Sequence, residues 1–579
     1  MPLKRCWVFA AVTTLTIAFL LLALFNLGAV TMPSSCWQPS KAAPGNDKVP
    51  VVFDLGSDQQ VKKVYILLRD AKRTEFYLYG SKEPHPADWR SLTTYDNNPA
   101  NNVHFCNWDS TSVQNASVRY LRFVFNATVS DGKIGEILVI SAANDKVRVV
   151  GVKAADDLEE DPVRLVDEQD DVVLPITQED GAYFDEMYYV RTAEEHLKLE
   201  EPYEWTHPPL GKLIIAAGIR MFGMNPFGWR IPGVLAAALM IPILFIMAKR
   251  IFKSALVGIF AAVLLTVDFM HFALARLATG EIYIAFFSLL IFYFAFDYLA
   301  RRNDDDNGGS TSLFLSIVFF GLCFTVKWIA IFGLVAILTL FVVSNIRDRK
   351  PILSDWLTVL AGLFVSAAIY IATYIPYMFS GDGHGLLDVI KLQFYMFGYH
   401  AGLQATHLFS SAWWSWPLML NPLWMYFNSL NGTISTIVLM GNPVVWWCSI
   451  PVLIFIAARL VAAKLKNTGG DNSVALSILI PFLLLWLPFA LITRILFIYH
   501  FMPSVPFMIL ALSYCVNVLR LRATTRRSRS RSRAIFVIFS FLIIIAAVVL
   551  FCLFYPVISG YPVTSGYKDD LKWLSNWSF

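Results

Sequence analysis

Charge is what this chain has least of. Asp, Glu, Lys and Arg make up 16% of its 579 residues, against 56% hydrophobic. Soluble domains carry about 25% charged residues, so a soluble enzyme is excluded and a polytopic membrane protein is expected. Long polar segments are missing between many of the apolar runs, which leaves no room for a domain there. Cysteine is sparse as well, with seven in all. Cys323, Cys448, Cys515 and Cys552 lie in apolar runs and read as small buried hydrophobes, and Cys6 sits at the start of the first run. Only Cys36 and Cys106 fall in a long polar stretch; they are a disulfide candidate if that stretch faces an oxidising compartment, although proximity is not legible in sequence. Aromatics, in contrast, are plentiful: 17 Trp, 23 Tyr and 45 Phe suit a protein with two wide membrane–water interfaces.

The first apolar run, about 7–30, is longer than a signal-peptide core and is expected to remain as a span across a ~30 Å hydrocarbon layer. About eleven spans follow from the hydropathy. With the N-terminus inside, the short inner loops carry Lys4, Arg5, Lys249, Arg250, Lys253, Arg301, Arg302, Arg347, Arg349, Lys350, Lys464 and Lys466. They also carry Arg520, Arg522, Arg526, Arg527, Arg529, Arg531 and Arg533. The short outer segments hold only Arg276, Lys327, Lys391, Arg494, Lys568 and Lys572. That asymmetry predicts a cytoplasmic N-terminus and an extracytoplasmic C-terminus. The RRSRSRSR run between two spans reads as an anchor beside anionic lipid, not as a nucleic-acid site.

Two outer regions are long. Residues 32–153 contain VVFDLGS, KKVYILLRD, RTEFYLYGS, SVRYLRFVFN and GEILVIS, short β-branched and aromatic runs broken by turns. With Asp54-Leu55-Gly56, Gly80-Ser81, Trp89, Arg119-Tyr120-Leu121-Arg122 and Glu136 in that order, the segment resembles a discoidin-type galactose-binding-like β-sandwich. That resemblance leaves open whether it binds glycan or acceptor or only spaces the chain. Asp156, Asp157, Glu159, Glu160, Asp161, Glu168, Asp170 and Asp171 make the next stretch a solvated acidic linker in preference to a calcium site.

At 184–212 comes FDEMYYVRTAEEHLKLEEPYEWTHPPLGK. Asp185 and Glu186 suit the first turn of a helix, whose dipole favours acids. Trp205-Thr206-His207-Pro208-Pro209 breaks that helix, and an apolar one restarts behind the prolines. Arg276, Lys327 and Arg494 lie at the same boundary. Charges there are expensive and usually functional, so they are candidate phosphate contacts. Snorkelling is the alternative for each, and Arg276 could instead pair with Glu281 or with the acidic pair. His400, His407 and His500 match no compact metal motif; hydrogen bonding to sugar, phosphate or loop backbone is favoured, and a metal stays open. Trp413, Trp414 and Trp416 fit stacking on sugar or peptide, or an interfacial belt.

The stretch from Tyr183 to Gly233 resembles the first outer loop of the protein O-mannosyltransferases, which belong to the glycosyltransferase-C superfamily. ARLATGEIYIAFF (275–287), FTVKW (324–328), QFYMFGYHAGLQATHLFSSAWWSWPLMLNPLWMYF (393–427), GNPVVWW (441–447) and RILFIYHFMPSVPF (494–507) resemble that family's later motifs in order. Glu281 stands where the family usually has Asp, His407 is followed by Leu408 where Pro is common, and the β-sandwich is not part of the common plan. The resemblance implies a polytopic α-helical glycosyltransferase-C fold that moves a sugar, mannose foremost, from a polyprenyl phosphate to Ser/Thr hydroxyls of exported proteins. It implies inversion with Asp185 as general base and Glu186 beside it. His207, Arg276, Glu281, Lys327, His400, His407, Trp413, Trp414, Arg494 and His500 would bind substrate. No cofactor is implied, and a divalent cation stays open. The expected partners are the donor lipid, a protein or glycan acceptor and membrane lipids, and the expected location is a bacterial-type cytoplasmic membrane with the active side outward. Lipid A or a cell-wall glycan as acceptor, as in aminoarabinose transferases, is the second reading. A transporter or flippase is the third, disfavoured because the distinctive charges sit at the boundary and not at the midplane.

The organisation expected is a first span at 1–31, the sandwich at 32–153, the linker at 154–183, a catalytic first outer loop at 184–228, spans two to seven at 229–378, a second outer loop at 379–442, and spans eight to eleven with an outer tail at 443–579.

Overall fold

The structure is a computed structural model that describes residues 2–42, 47–70, 72–98, 104–154, 158–301, 308–348, 353–430, 432–466, 472–525 and 529–579. Asp156, Asp157, Arg302, Arg349, Lys350, Arg526 and Arg527 lie outside the described residues. Among the described residues, nine helices are long and apolar enough to cross a membrane: Cys6–Leu24, Pro226–Phe252, Glu281–Arg301, Trp328–Ile346, Leu353–Ala372, Pro443–Leu465, Ser473–Leu491, Ile498–Ala523 and Ser530–Ser559. A pair bent by 59°, Ala255–Thr266 and Phe269–Ala275, makes ten if it is one span. Eleven were expected. The difference is Gly309–Phe324, which is apolar but, at 1.5 Å per residue, too short for a ~30 Å layer. It packs between Glu281–Arg301 and Leu353–Ala372.

Local chemistry explains the breaks. Asp268 bends the paired helices because it caps the second one: its Oδ1 accepts from the His271 N–H at 3.1 Å. Its Oδ2 accepts from the Trp446 indole at 2.9 Å, so the buried carboxylate is satisfied from two sides. Asn442 caps the helix that starts at Pro443 and donates to Val267 and Ala547 carbonyls, tying three helices together.

The 32–153 segment forms seven strands, β1 (Lys48–Leu68), β2 (Glu75–Ser81), β3 (Arg90–Asp96), β4 (Asn107–Asn126), β5 (Ile134–Ser141), β6 (Lys146–Val147) and β7 (Gly151–Ala154). They join in one sheet of order β3-β2-β4-β1-β5-β6, with β7 also on β1. The expected sandwich is hydrogen-bonded as a single sheet because β1 and β4 run through both halves, with register breaks at Asp54/Gln59 and Val61/Lys63. Phe53, Phe123 and Phe76 from one half share a core with Val64, Ile66 and Ile137 from the other. The Asp-Leu-Gly and Arg-Tyr-Leu-Arg motifs meet here: Arg119 pairs with Asp54 at 3.0 Å, and Asp54 also accepts from the Gly56 N–H. Gly56 has φ +76°, which only glycine adopts at little cost. Arg122 stacks over Trp89, 5.7 Å from the ring centroid.

The acidic stretch is not a solvated linker. Leu165 and Val166 are buried in the sheet's core, and Gln169 bonds to Val149. The Glu168 carboxylate accepts from the Ser34 and Ser35 backbones. Apolar side chains among the acids pull the segment down. Cys36 and Cys106 are free thiols: Cys106 is buried with Ala182 and Tyr183 in the core below the sheet, whereas Cys36 stays half-buried beside the chain leaving the first helix.

Candidate active site

The chain reaches the membrane-spanning body through Phe184, whose φ of +53° turns it into the helix Glu186–Lys198. Glu186 is fully buried, and Arg230 grips it with both arms, Nε to Oε1 at 2.8 Å and Nη2 to Oε2 at 2.7 Å. The Ala278 N–H adds a third bond. Arg230 donates its remaining hydrogens to the Leu27, Gln178 and Gly181 carbonyls. A bidentate charge pair of this kind fixes direction as well as distance. Successive helical residues point about 100° apart, so anchoring Glu186 inward turns Asp185 to a different face.

That face is a cavity of about 490 Å³, lined by Asp185, Tyr189, Tyr203, His207, Lys327 and Tyr499 among others. A second lobe of about 390 Å³ shares Thr206, His207, Lys327, Arg494 and His500 with it and continues between Trp328, Ile331, Phe332, Phe397 and Leu491. Ile331, Phe397 and Leu491 are exposed, so this lobe opens along an apolar surface. One lobe therefore carries a carboxylate, the other hydrocarbon, and two cations stand where they join.

Each charge is held. Lys327 is ion-paired with Glu281, both nearly buried, and its ammonium faces the Tyr189 and Tyr499 rings at 5.9 and 5.6 Å. Arg494 donates to His400 Nδ1 at 2.9 Å, while His400 Nε2–H donates to the Thr206 carbonyl at 2.7 Å. This bonding requires a neutral His400, and burial, with His207 and Arg494 nearby, lowers its pKa to about 4. His207 Nδ1 bonds Glu204 at 2.8 Å, and Lys212 holds Glu204 at 2.5 Å and the His207 carbonyl at 2.7 Å. Burial opposes ionisation of Glu204, but Lys212 and His207 hold it well below the usual carboxylate range. Among the described residues, Asp185 has no such partner. It makes no side-chain bond to cap its helix, and burial, reinforced by Glu281 and partly offset by Lys327, pushes its carboxyl up to about 7. A carboxylate poised near neutrality on an open cavity is suited to general-base work. The Tyr189 hydroxyl lies buried beside it without a partner among the described residues.

Residues 206–375 match the family described as dolichyl-phosphate-mannose-protein mannosyltransferase, and residues 386–577 match the C-terminal four TMM region of protein-O-mannosyltransferase. The chain belongs to the protein O-mannosyltransferase family. The polyprenol-phosphate-mannose–protein mannosyltransferase of Mycobacterium tuberculosis is 26% identical over 430 residues, 64% of this chain and 80% of its own length. Its namesake in Mycolicibacterium smegmatis is 23% identical over 432 residues, covering 64% and 81%. The solved S. cerevisiae protein O-mannosyltransferase Pmt1-Pmt2 complex bound to the sugar donor shares the fold. It aligns with a TM-score of 0.60 at 14% identity, over 69% of this chain and 89% of that one.

Within this O-mannosyltransferase the expected site residues divide. Asp185, His207, Lys327, His400, Arg494 and His500 line the joined cavity; Glu281 holds Lys327 from behind, and His400 holds Arg494. Glu186 does not reach it, because its charge is consumed by Arg230. Arg276 is not among the lining residues of either lobe. It is 4% exposed and caps the ends of two long helices by donating to the Ala23, Phe25, Asn26 and Ser559 carbonyls, which a helix C-terminus leaves unpaired. His407 is exposed and accepts from the Phe409 N–H, a bond local to its own loop. Trp413 packs on Trp486, Trp414 is 55% exposed, and Trp416 is buried against Phe489 and His500, so none faces the cavity. Sequence reasoning missed Arg230, Glu204 and Lys212. Arg230 was the detectable one: an arginine one turn inside a span needs a buried partner.

Proposed function

We propose that the chain transfers mannose from a polyprenyl-phosphate donor to Ser and Thr hydroxyls of exported proteins, with inversion and with Asp185 as the base. The observation that carries this reading is the pairing of lobes: a poised carboxylate in one, an open apolar path in the other, and Lys327 and Arg494 at the junction. The polyprenyl chain lies along Ile331, Phe332 and Leu491. Its phosphate sits against Lys327 and Arg494, which places the mannosyl carbon toward Asp185. The acceptor hydroxyl is a weak nucleophile, so Asp185 takes its proton as the oxygen attacks. The polyprenyl phosphate leaves as an anion that both cations already face. Because Glu281 and His400 fix those cations beforehand, little reorganisation is needed when charge develops. One base serves an inverting displacement, and a structural Glu186 is consistent with it.

The cavity end belongs outside the cytoplasm in this proposal, with the chain in the cytoplasmic membrane. Lys249, Arg250, Lys253, Arg301, Lys464, Lys466, Arg520 and Arg522 lie at the other ends of the same helices, and positive loops stay inside. The test uses purified protein, labelled polyprenyl-phosphate mannose and a Ser/Thr-rich peptide. Transfer is expected, and Asp185→Asn should cut it at least ~100-fold. Full activity in that variant removes the base assignment; no transfer to any acceptor removes the reading.

A further inference from the structure

Glu136, on β5 inside the β-sheet domain, is fully buried. Its Oε2 accepts from the Glu168 backbone N–H at 3.2 Å, but its Oε1 is buried with no hydrogen-bond partner among the described residues. An unbonded buried carboxylate oxygen is costly, and in native folds it has a reason. The groups around it are acidic. One oxygen each of Glu136, Asp167 and Glu168 lies within 4.8 Å of the other two. Among the described residues, no Lys or Arg forms an ion pair with any of the three; neighbouring Asp170, by contrast, has Arg148.

Hydroxyl and carbonyl oxygens lie nearby, and the Ser34 and Ser35 backbone N–H groups bond the Glu168 carboxylate. The Ser35 hydroxyl lies 2.8 Å from Asp167 Oδ1 and 3.3 Å from the Arg164 carbonyl, and the Ser34 hydroxyl lies 3.1 Å from Glu168 Oε1. Three carboxylates with hydroxyl and carbonyl oxygens form a hard donor set. Calcium takes about six to eight oxygen ligands of this kind, whereas magnesium keeps several of its waters. Calcium also tolerates an irregular shell, and magnesium does not.

We infer that Glu136, Asp167 and Glu168 bind a calcium ion that pins the β-sheet domain to the two chain segments leading to and from it. Ser34 and Ser35 lie on the segment leaving the first helix, and Asp167 and Glu168 on the segment returning toward Asp185. The ion neutralises three converging acids, gives Glu136 Oε1 its missing partner, and fixes how the sheet stands above the membrane-spanning body.

The test takes the full chain in detergent, stripped with EGTA, and titrates calcium by calorimetry and by thermal unfolding. One calcium per chain and a higher unfolding temperature are expected. Asp167→Asn, at an exposed position that the fold tolerates, and Glu136→Gln, close in shape, should each abolish or strongly weaken binding. Asp170→Asn, a surface acid outside the triad, should leave it unchanged. No calcium binding by the wild-type protein overturns the inference. So does equal binding by the two triad variants, or magnesium matching calcium. Stabilisation by acid with no response to calcium overturns it too, because the carboxylates then share protons and not a metal.

Discussion

Asp185 and Glu186 are neighbours with the same functional group, and the structure assigns them opposite fates on mutation. Consider Glu186→Gln. Glu186 and Arg230 are 0% and 1% exposed in their side chains, and they share two bonds of 2.7–2.8 Å. Removing one charge leaves the Arg230 guanidinium buried and unpaired, which costs about 3–5 kcal/mol. That is a large part of the ~5–15 kcal/mol that holds a typical domain together. The same anchor orients the helix bearing Asp185, so destabilisation and loss of activity should arrive together. Asp185→Asn should behave otherwise. Burial pushes the folded Asp185 carboxyl up to about 7 from an ordinary value of 3.8. The folded state therefore binds this proton more tightly than the unfolded state, and stability drains away as pH rises from about 4 to about 7. An amide escapes that penalty, so Asp185→Asn should be at least as heat-resistant as wild type at pH 8 while its kcat falls at least ~100-fold. The assay heats each variant in detergent, measures the monodisperse fraction, and measures mannosyl transfer on the same samples. A Glu186→Gln protein as heat-resistant as wild type but inactive would refute the structural assignment of Glu186. An Asp185→Asn protein that unfolds early would refute its role as an unpartnered base.

Three further outcomes follow from the same geometry. kcat/KM for peptide mannosylation should climb with pH and level off above about 7, because only ionised Asp185 accepts the hydroxyl proton; a flat profile across pH 5–9 argues against it. Arg494→Lys keeps the charge but loses the planar fork that His400 orients, so KM for the donor should rise about ten-fold while stability changes little. Competition binding of polyprenyl phosphate checks this. His407→Ala and Trp414→Ala, both outside the cavity, should keep transfer within about two-fold of wild type, the scale of surface changes. A large loss in either would place the acceptor path across the second loop.

Much of this was legible from composition and motif order. The scarcity of charge settled the class, and the apolar runs located the long helices to within a few residues. The breaks were harder. Nothing in hydropathy reveals that Asp268 and Trp446 bond across a span, so the third run reads as one straight helix and not as a pair bent by 59°. The acidic stretch misled for a related reason: charge density is visible in sequence, but the burial of Leu165 and Val166 among those acids depends on a sheet that lies elsewhere in the chain.

The candidate site shows the division most clearly. Sequence alone determined which residue types reach this boundary: an acidic pair, a His-Pro-Pro turn, and single cations at Arg276, Lys327 and Arg494, because each must stand where water and hydrocarbon meet. Only tertiary structure decided which of them face the same space. Arg276 and Arg494 are alike in a sequence, yet one is spent on the open carbonyls of two helix ends and the other stands beside a cavity. Asp185 and Glu186 differ by one helical step, and that step, locked by an arginine 44 residues away, separates a poised base from a buried anchor. Partner choice among like charges is set by geometry between distant segments, and one-dimensional spacing does not carry it.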